Sequence, residues 1–141
     1  MTQVQQEILI NAPIECVFNI ITDYENYSDF LPDMKSVTVE SRKDGIALVR
    51  FEIELIMRVS YTLRLVEEPP RRLSWTLHYA KMISLNNGSW ELEPKDDKTL
   101  ARYALEVKLR GLIPKSVSTR LLGTTLPDML QRFRNHAENI R

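Results

Sequence analysis

Apolar positions along this chain follow two periods, and the change from one to the other divides it. Val4 to Ile10 (VQQEILI) alternates in part, as a first strand does. The next stretch, NAPIECVFNIIT, takes helical spacing. Ile14, Val17, Phe18 and Ile21 fall at i, i+3, i+4 and i+7 and form one stripe, with Pro13 suited to the first helical position. Thr22 and Glu25 are spaced as a capping box, so a second short helix is predicted from near Asp23. It must end before Pro32, because the residue before a proline avoids helical angles. Tyr24, Tyr27 and Phe30 lie roughly a turn apart on it and share a face. Two short helices, each apolar on one side, read as an insert after the first strand.

From Lys35 the period becomes two. SVTVESR is a strand. GIALVRFEIELIM sets Ala47, Val49, Phe51, Ile53, Leu55 and Met57 on one face, against Arg50, Glu52 and Glu54 on the other. RVSYTLRLVEE turns Val59, Tyr61, Leu63 and Leu65 inward and is stopped by Pro69 and Pro70. RRLSWTLHYA sets Leu73, Trp75, Leu77 and Tyr79 on one face. NNG, from Asn86 to Gly88, reads as a turn before SWELEP, which carries Trp90 and Leu92. TLARYALEVKLRG points Ala101, Tyr103, Leu105, Val107 and Leu109 inward. Strands at this spacing, joined by short turns, predict an antiparallel meander with one apolar and one charged face.

The tail supplies the cover. From Pro114 to Arg141 a broad stripe of Val117, Leu121, Leu122, Leu126, Met129, Leu130, Phe133, Ala137 and Ile140 recurs at helical spacing. Pro127, with Gly123 four residues before it, predicts a kink or break at residues 123–127. The predicted fold class is therefore α+β: a curved antiparallel sheet of about seven strands, wrapped on a long C-terminal helix, with two short helices after strand 1. Its length predicts a single domain, residues 1–141.

Charge changes the picture mainly by exclusion. The 19 basic and 19 acidic side chains balance, so nothing draws the chain to DNA at long range. One cysteine, Cys16, allows no internal disulfide; it lies off the stripe with no cation or histidine close in sequence, and reads as structural. No apolar run reaches transmembrane length and MTQVQQEILI is not a signal peptide, which predicts a cytoplasmic protein, with peripheral membrane contact left open. That contact would use the tail. There Lys115, Arg120, Arg132, Arg134 and Arg141 outnumber Asp128 and Glu138. An ordinary solvated helix face is the favoured reading; an anionic membrane or ribosomal RNA is the alternative.

A curved sheet on one helix leaves space at one end. The inward rows there carry polar tips, on Tyr61, Trp75, Tyr79 and Tyr103, and buried phenols and indoles need partners. A ligand-filled cavity would supply them. Phe51 joins this set from the strands, and Met129 and Phe133 from the tail. Tyr24, Tyr27, Phe30 and Leu31, on the short helix, either close over a ligand as a lid or plug the end as core. Trp90 either lines the pocket or braces the sheet against the tail helix, and the brace is the favoured reading. Glu67 keeps inward parity but sits beside Pro69, which places it at the rim. His78, on the charged face, and His136, between arginines, read as solvated, and neither has a neighbour at metal-ligand spacing. There is no Ser-His-Asp order, no phosphate loop and no cysteine pair, so neither a cofactor nor a metal is expected.

Four stretches, NAPIECVFNIITDYENYSDFLP, FEIELIMRVSYTLRL, NNGSWELEP and LPDMLQRFRNHAENI, taken in order, resemble the helix-grip fold of the START-like superfamily. Within it they are closest to the polyketide cyclase/dehydrase family and its coenzyme Q-binding and ribosome-association-toxin branch. The resemblance implies binding or transport of a hydrophobic small molecule, whether a lipid, an isoprenoid quinone or a polyketide-like aromatic, in the cavity between sheet and helix. It leaves two alternatives. One is a cyclase or dehydratase using Tyr61, Tyr79 or Tyr103 as orienting or acid groups; the other is a ribosome-associated protein acting through its basic tail. The lack of an inward acid-base pair weighs against the enzyme.

Overall fold

Seven antiparallel strands form one sheet in the order β1-β7-β6-β5-β4-β3-β2. The computed structural model describes residues 2–54, 57–111, 115–116 and 126–140. The elements are β1 (Thr2–Ile10), α1 (Ile14–Ile21), a 3-10 turn (Tyr24–Asn26), α2 (Tyr27–Phe30), β2 (Met34–Lys43), β3 (Ile46–Glu54), β4 (Arg58–Glu68), β5 (Arg72–Ala80), β6 (Ile83–Lys95), β7 (Lys98–Leu109) and α3 (Leu126–Ile140). Strands β2 to β7 follow one another as a meander because their turns are too short for anything else. Between β2 and β3, Asp44 and Gly45 both take positive φ, 55° and 78°, the conformation a two-residue hairpin turn demands.

β1 and β2 lie on opposite edges of the sheet. The chain between them must therefore cross its full width, and α1, the 3-10 turn and α2 make that crossing on the concave side. α1 packs on β6, β7 and α3, and α2 on β2 and α3. The buried faces follow the apolar stripes: Ile14, Val17, Phe18 and Ile21 on α1, and Leu126, Leu130, Phe133 and Ala137 on α3. Ile140 leaves the predicted stripe and is exposed, since the helix has by then run past the sheet it covers. Pro127 falls in the first turn of α3, where a missing N–H costs nothing. The rest of the expected bend at residues 123–127 lies outside the described residues, as do Leu55, Val117, Leu121 and Leu122.

Three local expectations are corrected. Thr22 does not open a capping box. It ends α1, where its hydroxyl donates to the carbonyl of Phe18 at 2.8 Å and satisfies a terminal acceptor. Pro13 is the N-cap of α1 rather than its first residue. NNG is not a turn but the middle of β6; the β5–β6 connection is Lys81–Met82 instead. Gly88 is there for close approach. A Cβ on it would stand 2.4 Å from Cζ2 of Trp75 and 2.7 Å from the carbonyl oxygen of Ala104.

The register of β5 brings a fourth correction. Leu63 pairs with Leu77, but Thr62 pairs with Tyr79, so His78 is an extra residue opposite the β4 ladder. Such a bulge reverses the faces beyond it. Ala80 is buried in place of Tyr79, whose ring is 61% exposed on the outer face.

Candidate functional site

Two apolar clusters lie on the concave side of the sheet. The larger joins α1, α2 and α3 to the middle of the strands. The smaller gathers Val59, Ala80, Ile83 and Val107 at one end of the sheet. Between them is a cavity of ≈ 160 Å³, bounded by side chains of both clusters. An engineered apolar cavity of roughly 150 Å³ takes up benzene, so the space is the size of a small ring system.

One wall is aromatic. Phe51 stacks between Tyr27 and Tyr61, at 6.1 and 5.4 Å between ring centroids. Phe133 of α3 meets Tyr27 edge-on at 5.2 Å and Trp90 at 5.4 Å. Trp90 in turn meets Tyr103 at 4.9 Å, and Tyr103 lies 5.8 Å from Trp75. Trp90 thus both braces the sheet against the tail helix and lines the cavity. The remaining wall is aliphatic, from Leu63, Leu65, Leu73 and Leu105 among others. The exposed members of the lining, Pro32, Asp128 and Arg132, mark the rim. There Arg132 Nε donates to Asp128 Oδ2 at 2.6 Å.

The buried polar side chains of the lining are few and neutral, and the half-buried Asp33 adds a carboxylate beside Pro32. Trp75 Nε1 donates to Oδ1 of the buried Asn86 at 3.1 Å, a bond from β5 to β6. Backbone pairing between these strands stops at Trp75 and Gly88, so this side-chain bond continues the connection inside the cavity. The Tyr27 hydroxyl donates to the carbonyl of Ile21. The Tyr61 and Tyr103 hydroxyls make no hydrogen bond to any described residue. Burial pushes the ionisation of both well above the ordinary phenol range, and the nearness of Tyr61 pushes Tyr103 further. Burial does the same to Tyr27, assisted by Tyr103 and Tyr61. Three phenols therefore converge on one apolar space and stay protonated.

Of the side chains the sequence nominates, Tyr27, Leu31, Phe51, Tyr61, Trp75, Tyr103, Met129 and Phe133 line this cavity. Three do not. Tyr79 faces outward beyond the bulge. Tyr24 is buried outside the lining, and its hydroxyl donates to Glu67 Oε2 at 2.6 Å. Phe30 stacks on His136 at 4.2 Å, clamping α2 to α3. His136 is accordingly half-buried and not solvated, while His78 is exposed. Asn86 was missed because its signal, NNG, is also that of a turn. Among the described residues no group of three or more His, Cys, Asp or Glu is placed to hold a metal ion. No described helix is long and apolar enough to cross a membrane.

The basic excess of the tail is partly answered within it. Arg132 pairs with Asp128, and Arg134 donates to Gln131. Arg120 and Arg141 lie outside the described residues.

Comparison with known proteins adds the following. The family model described as polyketide cyclase / dehydrase and lipid transport matches residues 10–134. No curated protein matches the sequence. Solved structures of similar fold include the aromatase/cyclase Zhui from Streptomyces, with a TM-score of 0.83 and 16% identity over 98% of this chain and 94% of that one. A START superfamily protein from Mycobacterium smegmatis matches at 0.83 and 18% over 99% of both chains. A STAR-related lipid transfer protein from Xanthomonas axonopodis matches at 0.79 and 16%, over 96% of this chain and 85% of that one. At these identities the likeness is one of fold.

Proposed function

Because this chain belongs to the polyketide cyclase/dehydrase and lipid transport family, we propose that it binds a hydrophobic small molecule in the cavity between sheet and α3, and releases it again. The carrying observation is an apolar-walled space of ≈ 160 Å³, open at one side, with protonated phenols turned towards it and, as carboxylates, only the exposed Asp128 and the half-buried Asp33. A ring system burying about 200 Å² of apolar surface there gains about 5 kcal/mol before the cost of association. That favours reversible binding over permanent retention. A lipid or isoprenoid quinone longer than the cavity would need its tail at the rim or a wider opening between α2 and α3. A polyketide-like aromatic would fit in part.

A second reading, an aromatase or cyclase, draws on Tyr61 and Tyr103 and on the likeness to Zhui. Their raised ionisation suits them to orient a carbonyl by hydrogen bonding, not to transfer a proton near neutral pH. Binding is therefore the better supported reading.

Native mass spectrometry on protein gently purified from its own source tests it. A stoichiometric small molecule, released on denaturation, is expected. Its retention should fall in Leu105→Trp, which fills the cavity from β7. A ligand held equally well by that variant would place the binding elsewhere and overturn the proposal.

A further inference from the structure

The two ends of the sheet differ in what their connections carry. At one end, Met57, Met82 and Leu109 pack against the small cluster of Val59, Ala80, Ile83 and Val107, and each is only half-buried. They come from just before β4, from the β5–β6 connection and from the end of β7. The Arg110 N–H donates to the carbonyl of Met82 at 2.8 Å, which ties the last two together. At the opposite end the connections are residues 44–45, 69–71 and 96–97, with no methionine, leucine or larger apolar side chain.

Charge follows the same division. Lys81, Lys108 and Arg110 stand exposed beside the apolar group, and none makes an ion pair with a described residue. The acids at this end are largely answered: Glu54 pairs with Arg58, Asp128 pairs with Arg132, Glu106 accepts from Gln3, and Asp33 lies two residues from Lys35. At the opposite end Asp44, Asp96 and Asp97 occupy the turns themselves. The chain as a whole is neutral, so any attraction to an anion is local to this end.

We propose that this end of the sheet docks on an anionic lipid bilayer, with Met57, Met82 and Leu109 entering the headgroup region and Lys81, Lys108 and Arg110 meeting lipid phosphates. Peripheral binding of this kind adds apolar burial to attraction for the charged surface, and methionine adapts readily to an irregular one. RNA would meet the cations and leave the apolar group in water. The tail helix is the poorer surface, because its apolar stripe faces the sheet and Arg132 and Arg134 are bound within it. Docking needs no bound ligand, so its failure leaves the binding function standing.

Co-sedimentation tests it, with vesicles of equimolar phosphatidylcholine and phosphatidylglycerol against vesicles of phosphatidylcholine alone. Wild type is expected to partition onto the anionic vesicles and to leave them as sodium chloride screens the charges. Lys81→Glu, Lys108→Glu and Arg110→Glu together should weaken partitioning about a hundredfold. The same change of net charge at the other end, Lys43→Glu, Arg71→Glu and Lys98→Glu, should alter it by less than about threefold. Met82→Gln, which changes no charge, should weaken it about fivefold. All six reversed side chains are exposed and outside any ion pair with a described residue, so both triple variants should keep the wild-type melting temperature. Equal losses in the two triple variants would mean that net charge alone acts, and would overturn the proposal. So would a wild type that ignores both vesicles, or one that binds polyuridylic acid in their place.

Discussion

Tyr24 and Tyr61 carry the same phenol into opposite situations. The Tyr24 hydroxyl donates to Glu67, whose carboxylate also accepts from Arg42 at 3.2 Å, while the guanidinium lies over the Tyr24 ring at 5.3 Å. The three form a closed group that ties the 3-10 turn of the crossing segment to β2 and β4. Tyr24→Phe should cost about 1.5–3 kcal/mol, since it removes a hydrogen bond to a charged, largely buried acceptor. Urea denaturation would show this, and ligand retention should not change. A loss under half a kilocalorie (about 0.5 kcal/mol) would mean that Arg42 alone satisfies Glu67. The inward parity of Glu67 is readable in its strand. Its partners are not, because they stand 43 and 25 residues away and only the fold brings them together.

At the scale of elements, β5 and β6 decide the shape of the cavity. The bulge at His78 turns Tyr79 out and Ala80 in, and pairing of the two strands ends at Trp75. Trp75 can lie flat across β6 only because residue 88 has no side chain. Gly88→Ala sets a methyl 2.4 Å from the indole and 2.7 Å from a β7 carbonyl. The backbone carbonyl cannot yield as a flexible side chain would, so a loss of about 1–3 kcal/mol is expected in denaturant unfolding. The Trp75–Asn86 bond should weaken with it, shifting tryptophan fluorescence. An unchanged midpoint would show that the sheet opens there freely. Periodicity finds β5 and the second half of β6, and misreads what lies between them. A bulge depends on the partner strand, and a glycine kept for clearance carries the same letter as one kept for a turn.

For the whole molecule, the buried tyrosines couple stability to alkaline pH. Tyr24, Tyr27, Tyr61 and Tyr103 all have ionisation raised above the ordinary phenol value of 10.0, burial being the first cause in each. The folded state holds their protons more tightly than the unfolded chain does. Their contribution is therefore complete below pH 10.0 and is lost progressively above it. Raising the pH past that value should bring cooperative unfolding, with phenolate absorbance appearing in step with loss of circular dichroism. Ionisation of Tyr27, Tyr61 and Tyr103 ahead of unfolding would mean that solvent reaches them through the cavity. Retained ligand should shift the transition upward, because it binds only the folded state.

What the sequence determined by itself is local in origin. Alternation, helical stripes and short turns fix the order of strands and helices, the antiparallel meander and the apolar concave face, since each arises between near neighbours. The polar tips on Tyr61, Trp75 and Tyr103 already pointed to a cavity. Only the tertiary structure decided which aromatic side chains reach it. Tyr79 is withdrawn by a bulge, Tyr24 by a distant carboxylate and Phe30 by His136, while Asn86 is added from what reads as a turn. A cavity is the volume left after every element has packed, so its lining depends on register and clearance across the whole sheet, and neither is carried by any single segment.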